Sequence, residues 1–178
     1  MNPWPFPARN PMNQRLWREL GRCTCLAVML VSLGLSVLPT RTWAAVDVAK
    51  QVLIGADYSH QDLRGATFNL SNLRDADFSG SDLQGASLFG AKLQDADLSD
   101  TNLREATLDS AVFEGTNLSN AVLEDAFAFN TKFRDVTIDG ADFTNVPLRG
   151  DALKALCAMA RGTNPVTGRL TRETLGCS

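Results

Sequence analysis

The sequence predicts an all-β solenoid, a coil with four sides to each turn, and three observations predict it. From Ala56 to Asn145 the chain falls into 18 consecutive groups of five residues without a gap. The third position is Leu or Phe in 15 of the 18, with Tyr58, Ala128 and Ile138 as the exceptions. The first position is Ala in 11 groups and Ser or Thr in five more, leaving only Gln61 and Val136 outside the pattern. A period of five matches neither the 3.6 of a helix nor the 2.0 of a strand. It suits one side of a square coil, with two positions pointing in and three pointing out. The large third residue fills the centre, and the small first residue lets neighbouring sides approach. Four repeats then make a turn, and turns stack through backbone hydrogen bonds at about 4.8 Å. Eighteen repeats give 18/4 = 4.5 turns, a stack about 20 Å tall. No single repeat can bury its own Leu, so the core exists only because turns stack.

Residues 1–44 read as a secretory signal peptide. Arg9, Arg15, Arg18 and Arg22 precede an apolar run from Cys25 to Leu38. Pro39 and the small residues Thr42 and Ala44 follow, which places cleavage after Ala44. The run is shorter than the ~20 residues a spanning helix needs, which argues against a retained anchor. No adjacent arginine pair is present, so the general secretion route is expected. Residues 45–178 keep 12 Lys and Arg against 19 Asp and Glu, a net charge of −7. Such an acidic chain offers no basic groove to nucleic acid. Nor does it attract an anionic membrane, and no stable membrane insertion is expected after cleavage.

The open ends of a coil need covering, because the last turn exposes core and unpaired backbone. Residues 45–55 are apolar enough for an N-terminal cap, as a short helix or an imperfect coil. After Asn145 the period changes, and residues 146–178 predict a C-terminal helical cap. Asp151 can cap a helix that carries Leu153, Leu156, Cys157 and Ala160 on one stripe. Gly162 is placed to end it, and a second short helix is expected from Thr171 to near Cys177. The exported chain keeps two cysteines, Cys157 and Cys177, and export favours a disulfide between them. A redox-active pair is the other reading, although the spacing is not that of a C-x-x-C motif.

With four repeats to a turn, residues 20 apart stack, and the sequence becomes a surface map. One face carries Asp57, Asp77 and Asp97 in a column; it reads as a solvated acidic face rather than a metal site, since the single His60 cannot complete one. Two others mix charges, as in Arg64, Gln84, Arg104 and Glu124, or Arg74, Gln94, Glu114 and Arg134. The remaining face places Asn69, Phe89, Asp109 and Phe129 at one outward position, with Phe127 beside them and Leu70 at the corner. Exposed aromatics on an acidic coil call for a reason. Either Leu70, Phe89, Phe127 and Phe129 form a candidate interaction face for a protein partner, or the C-terminal segment covers them. A third possibility is that Phe127 or Phe129 turns inward to fill the space Ala128 leaves.

The unbroken A-D/N-L/F-x-x pattern over residues 56–145 resembles the pentapeptide-repeat proteins, and the resemblance implies a right-handed quadrilateral β-helix. The tail, LCAMARGTNPVTGRLTRETLGC, and the AFAFN and SLFG segments are similar to the subgroup exported to the thylakoid lumen of cyanobacteria and chloroplasts. That subgroup's leader, coil and disulfide-joined helices imply a clasp at Cys157 and Cys177. The resemblance also implies a non-catalytic scaffold or interaction protein of the thylakoid lumen or periplasm, one that supports a photosynthetic complex. An alternative within the family is a DNA-mimicking inhibitor of a type II topoisomerase. Residues 56–145 hold six Lys and Arg against 16 Asp and Glu, which suits a mimic; the export signal and the cysteine pair do not. An enzyme is not expected. The chain shows no phosphate loop, no nucleophile elbow and no acid–base pair that the repeat leaves unexplained, so no cofactor or metal is called for.

Overall fold

The computed structural model describes residues 46–177; the leader and its cleavage site lie outside the described residues. Residues 20 apart pair in parallel all along the coil, for example Asp57 with Asp77, Asn72 with Lys92 and Ser87 with Thr107. One turn is therefore four repeats. Only at strands β1 (Val112–Glu114) and β2 (Lys132–Arg134) do three consecutive residues pair in register.

The hydrogen bonds explain the five-residue rule. A third-position N–H donates to the second-position carbonyl one turn on, as Leu98 does to Asn117 at 2.8 Å. A fifth-position N–H donates to the fourth-position carbonyl one turn on, as Asp100 does to Ser119 at 2.8 Å. The second-position N–H reaches back to the previous turn, Asp97 to Ala76 at 2.9 Å. The first-position N–H closes a tight turn, Ala96 to Leu93 at 3.2 Å. The fourth-position N–H has no carbonyl in this scheme. Where an Asp or Asn stands two residues earlier, its side chain takes it: Ser79 donates to Asp77 Oδ1 at 2.8 Å and Ser99 to Asp97 Oδ1 at 2.9 Å. The acidic column on this face is thus a column of Asx turns that satisfy backbone.

Each corner is a turn with positive φ at its second central residue, which is type II geometry. Between Lys50 and Asn145, 19 of the 20 fifth positions adopt it, 12 as other residues and seven as Gly. Gly, Asp and Asn dominate because they tolerate the left-handed region. Leu70, at φ 58°, has no such excuse. Asn130, after the aromatic repeat AFAFN, is the one fifth position outside the set.

Inside, the third positions form one stack, buried except for the partly buried Val48 and Phe133. Tyr58 and Phe78 lie face to face, with centroids 5.0 Å apart, and Phe68 meets both edge-on. Residues 46–55, for which the sequence allowed a short helix or an imperfect coil, take the coil. Val48 donates to Thr67 at 2.9 Å and Leu53 to Asn72 at 2.7 Å. The coil thus runs over residues 46–145, five turns of four repeats.

Beyond it come helix α1 (Gly150–Met159) and a single helical turn, α2 (Thr171–Thr174). Two sequence expectations need correction here. Arg149, not Asp151, stands at the α1 N-cap, and no side chain caps that end. Asp151 lies one step inside, near the positive end of the helix dipole, and pairs with Arg149 at 3.5 Å. Gly162 does not end α1, which stops at Ala160 in extended backbone. Instead it allows a close approach: a Cβ there would stand 2.8 Å from the Gly140 nitrogen, at φ 77°. Leu156, Ala160 and Leu175 are buried in the same cluster as the coil's Leu and Phe. Cys157 and Cys177 are joined by a disulfide, with Cα atoms 5.6 Å apart. No helix among the described residues is long and apolar enough to cross a membrane.

Candidate interaction face

Four repeats per turn give the coil four faces and four corners. The face built from repeats beginning at 46, 66, 86, 106 and 126 holds the aromatic residues the sequence singles out. Leu70, Phe89, Phe127 and Phe129 are 54%, 42%, 52% and 48% exposed. Ala128 is buried at its inward position while both flanking phenylalanines point out, so neither turns in to compensate. Phe89 and Phe129 share one column two turns apart, about 10 Å at strand spacing.

Two polar residues alternate with them and repair the backbone. The Phe89 repeat has Ser87 at the second position, where half of the 18 repeats have Asp or Asn. Its fourth-position N–H instead finds Asn69 Oδ1 one turn below, at 3.0 Å, and the Ser87 hydroxyl donates to the same oxygen at 2.6 Å. The Phe129 repeat has Phe127 at that position, which accepts nothing. Asp109 Oδ1 serves the next residue along instead: it takes the fifth-position Asn130 N–H at 2.9 Å, a group that has no further turn of coil to bond to, and Asp109 Oδ2 accepts from Ser110 Oγ at 3.1 Å. Sequence reasoning placed Asn69 and Asp109 on the face but missed these roles, although the spacing of 20 between Asn69 and Phe89 carries the signal for the first.

The tail leaves this face uncovered, because it docks on the diagonally opposite corner, that of Asn120 and Gly140. Gly140 N–H donates to Arg161 at 2.9 Å, and Thr163 bridges Leu170 to form a small hairpin. Buried Asn164 plugs the corner: its Nδ2 donates to the Gly140 and Asn120 carbonyls at 2.8 and 3.0 Å. Its Oδ1 accepts the N–H groups of Val166 and Thr167. Arg169 then reaches along the adjacent face to Glu124 at 2.8 Å and buried Asp142 at 3.2 Å. Hydrogen bonds from Arg169 and then Arg104 hold the Glu124 carboxyl below its usual range. Burial alone would raise Asp142; hydrogen bonds from Thr144 and Thr167 and the Arg169 charge outweigh it, and the carboxyl is lowered. Among the described residues no group of His, Cys, Asp and Glu is arranged to hold a metal ion.

A family model described as pentapeptide repeats matches residues 52–88 and 86–125. The chain is 47% identical to the crystal structure of a pentapeptide repeat protein from the Arabidopsis thaliana thylakoid lumen, with a TM-score of 0.72, over 73% of this chain and 90% of that one. A pentapeptide repeat protein (Rfr23) from the cyanobacterium Cyanothece 51142 is 19% identical over 59% of this chain and 88% of that one, with a TM-score of 0.46. QnrB1, a plasmid-mediated fluoroquinolone resistance protein, is 19% identical over 63% of this chain and 69% of that one, with a TM-score of 0.27. No curated protein matches the chain.

Proposed function

The chain belongs to the pentapeptide-repeat family, whose fold is a right-handed β-helix, and from that membership we propose that it is a non-catalytic, exported protein-interaction module. It acts through the face of Leu70, Phe89, Phe127 and Phe129 in the thylakoid lumen or periplasm, where it supports assembly or maintenance of a photosynthetic complex. The observation that carries the proposal is that this face stays bare while the tail closes the opposite corner. Export is supported by the leader, by the Cys157–Cys177 disulfide and by the likeness to a lumenal protein. In this reading residues 146–178 are a C-terminal cap over the last turn, and the disulfide is its structural clasp. Replacing Phe89 and Phe129 by Ser, then fractionating and cross-linking in the native host, tests the face. Unchanged partner capture by the double variant sinks it, and intact protein in the cytoplasm sinks the location.

One observation favours a second reading. Residues 56–145 carry six basic against 16 acidic residues, as a DNA mimic would. A supercoiling assay with a type II topoisomerase decides it, with no inhibition expected.

A further inference from the structure

Asp109 is more than a backbone acceptor. Two turns below, the neutral amide oxygen of Asn69 accepts a backbone N–H, that of Phe89 at 3.0 Å, so the Asn130 N–H that Asp109 accepts needs no charged acceptor. The negative charge at Asp109 is therefore surplus to folding. On two other faces the carboxylates of Asp62, Glu114, Glu124 and Asp142 each meet an arginine. The outward positions of this face from Thr67 to Asn130 include no Lys or Arg. Among the described residues no ion pair reaches Asp109. It is half-buried between two exposed rings, where partial loss of water strengthens pairing with a cation.

We infer that the Phe89–Asp109–Phe129 column receives one amphipathic helix of a partner protein, apolar at i and i+7, with a Lys or Arg between them that pairs with Asp109. This rests on the reading of the face as an interaction surface. Spacing and charge select the occupant. The column presents ring, carboxylate and ring at intervals of about 4.8 Å. A helix rises 1.5 Å per residue, so positions i, i+3 or i+4, and i+7 fall at about 0, 5 and 10 Å on one stripe. A strand returns to the same side at about 7 and then 13 Å, out of step with the rings. A polyproline segment repeats at about 9 Å but turns its intermediate residues away. A second copy fails on charge: the two-fold axis that sets Phe89 against the other molecule's Phe129 also sets Asp109 against Asp109.

The test uses the purified chain with its disulfide intact and a stapled helical peptide of about 15 residues, the staple holding a helix that is marginal at this length. The peptide carries Phe at i and i+7 and Arg at i+4; a twin carries Glu at i+4. A proline-rich peptide with the same Phe and Arg content is the third probe. Binding is read by fluorescence anisotropy and amide shifts. The Arg peptide is expected to shift the amides around Phe89, Asp109 and Phe129 and to bind about tenfold or more tighter than its Glu twin. Asp109→Asn keeps the Oδ1 acceptor for Asn130 and so the fold; it is expected to erase the difference between the twins. Asp109→Lys is expected to reverse it. Equal binding of the twins, no binding by either, or equal binding of the proline-rich peptide overturns the inference. Photocross-linking from position 89 in the host separates this from the reading beneath it. An adduct with a strand, a loop or a second copy leaves the face standing and removes the helix; no adduct removes both.

Discussion

Two diagonal corners of one coil have opposite fates. At the Asn120–Gly140 corner the tail hairpin is plugged in by Asn164 and strapped down by Arg169. At the Leu70–Gly90 corner nothing in the described chain lies outside, and a leucine is held at φ 58° with its side chain against Gly90. The backbone is nearly the same in both places, so the difference comes from side chains at outward positions. The repeat builds a uniform scaffold, and individuality is written only where the repeat does not constrain the residue.

The largest expected effect comes from breaking the closed corner. Asn164→Ala strands the buried carbonyl of Gly140 and the N–H groups of Val166 and Thr167. At about 1–3 kcal/mol for the buried carbonyl, and less for the two N–H groups because Val166 is exposed to water, a few kcal/mol should go. Hydrogen exchange should show the loss in residues 161–175 and not around Phe89, because turns couple mainly to their neighbours. Removing the disulfide with Cys157→Ser, which opens a separation of 20 residues, should cost on the order of 3 kcal/mol, again confined to the tail. Calorimetry and exchange read it; a uniform loss along the coil would contradict it.

Smaller effects sharpen the comparison. A Cβ at Gly140 would lie 3.2 Å from the Thr163 carbonyl and against the Asn120 side chain, whereas at Gly90 it meets only the mobile end of Leu70. Both substitutions carry the left-handed cost of about 1–2 kcal/mol. Gly140→Ala should exceed Gly90→Ala by displacing the hairpin, as thermal melts of the two variants would show.

Acid should also loosen the closed corner. The Glu124 and Asp142 carboxyls lie below their usual values. A depressed folded value means stability that is complete above the unfolded pKa of about 4 and lost as pH falls through the folded one. Below about pH 4 the Asn164 side-chain amide resonances should therefore broaden or shift.

Much of this was legible beforehand. The coil, its 20-residue stacking and the exposed face follow from one strong rule, and a register can be extended without knowing any contact. Residues 46–55 were harder, because Val46, Gln51 and Val48 depart from the favoured residues although the spacing persists. The tail was legible only in part. Gly162 looks like a helix stop because its partner, Gly140, is far away in the sequence. Asn164 and Arg169 act on residues more than 40 positions away, and no local pattern announces such contacts. Asp109 was visible on the map, but its meaning needed the comparison with Asn69.

If the protein works through its bare aromatic face, that face and no other touches the partner in the cell. Photocross-linking groups at position 89 and, on the opposite face, at position 79 in the native host test it most directly. A discrete protein adduct is expected from position 89 and none from position 79. Equal adducts from both positions, or an adduct from 79 alone, would contradict it.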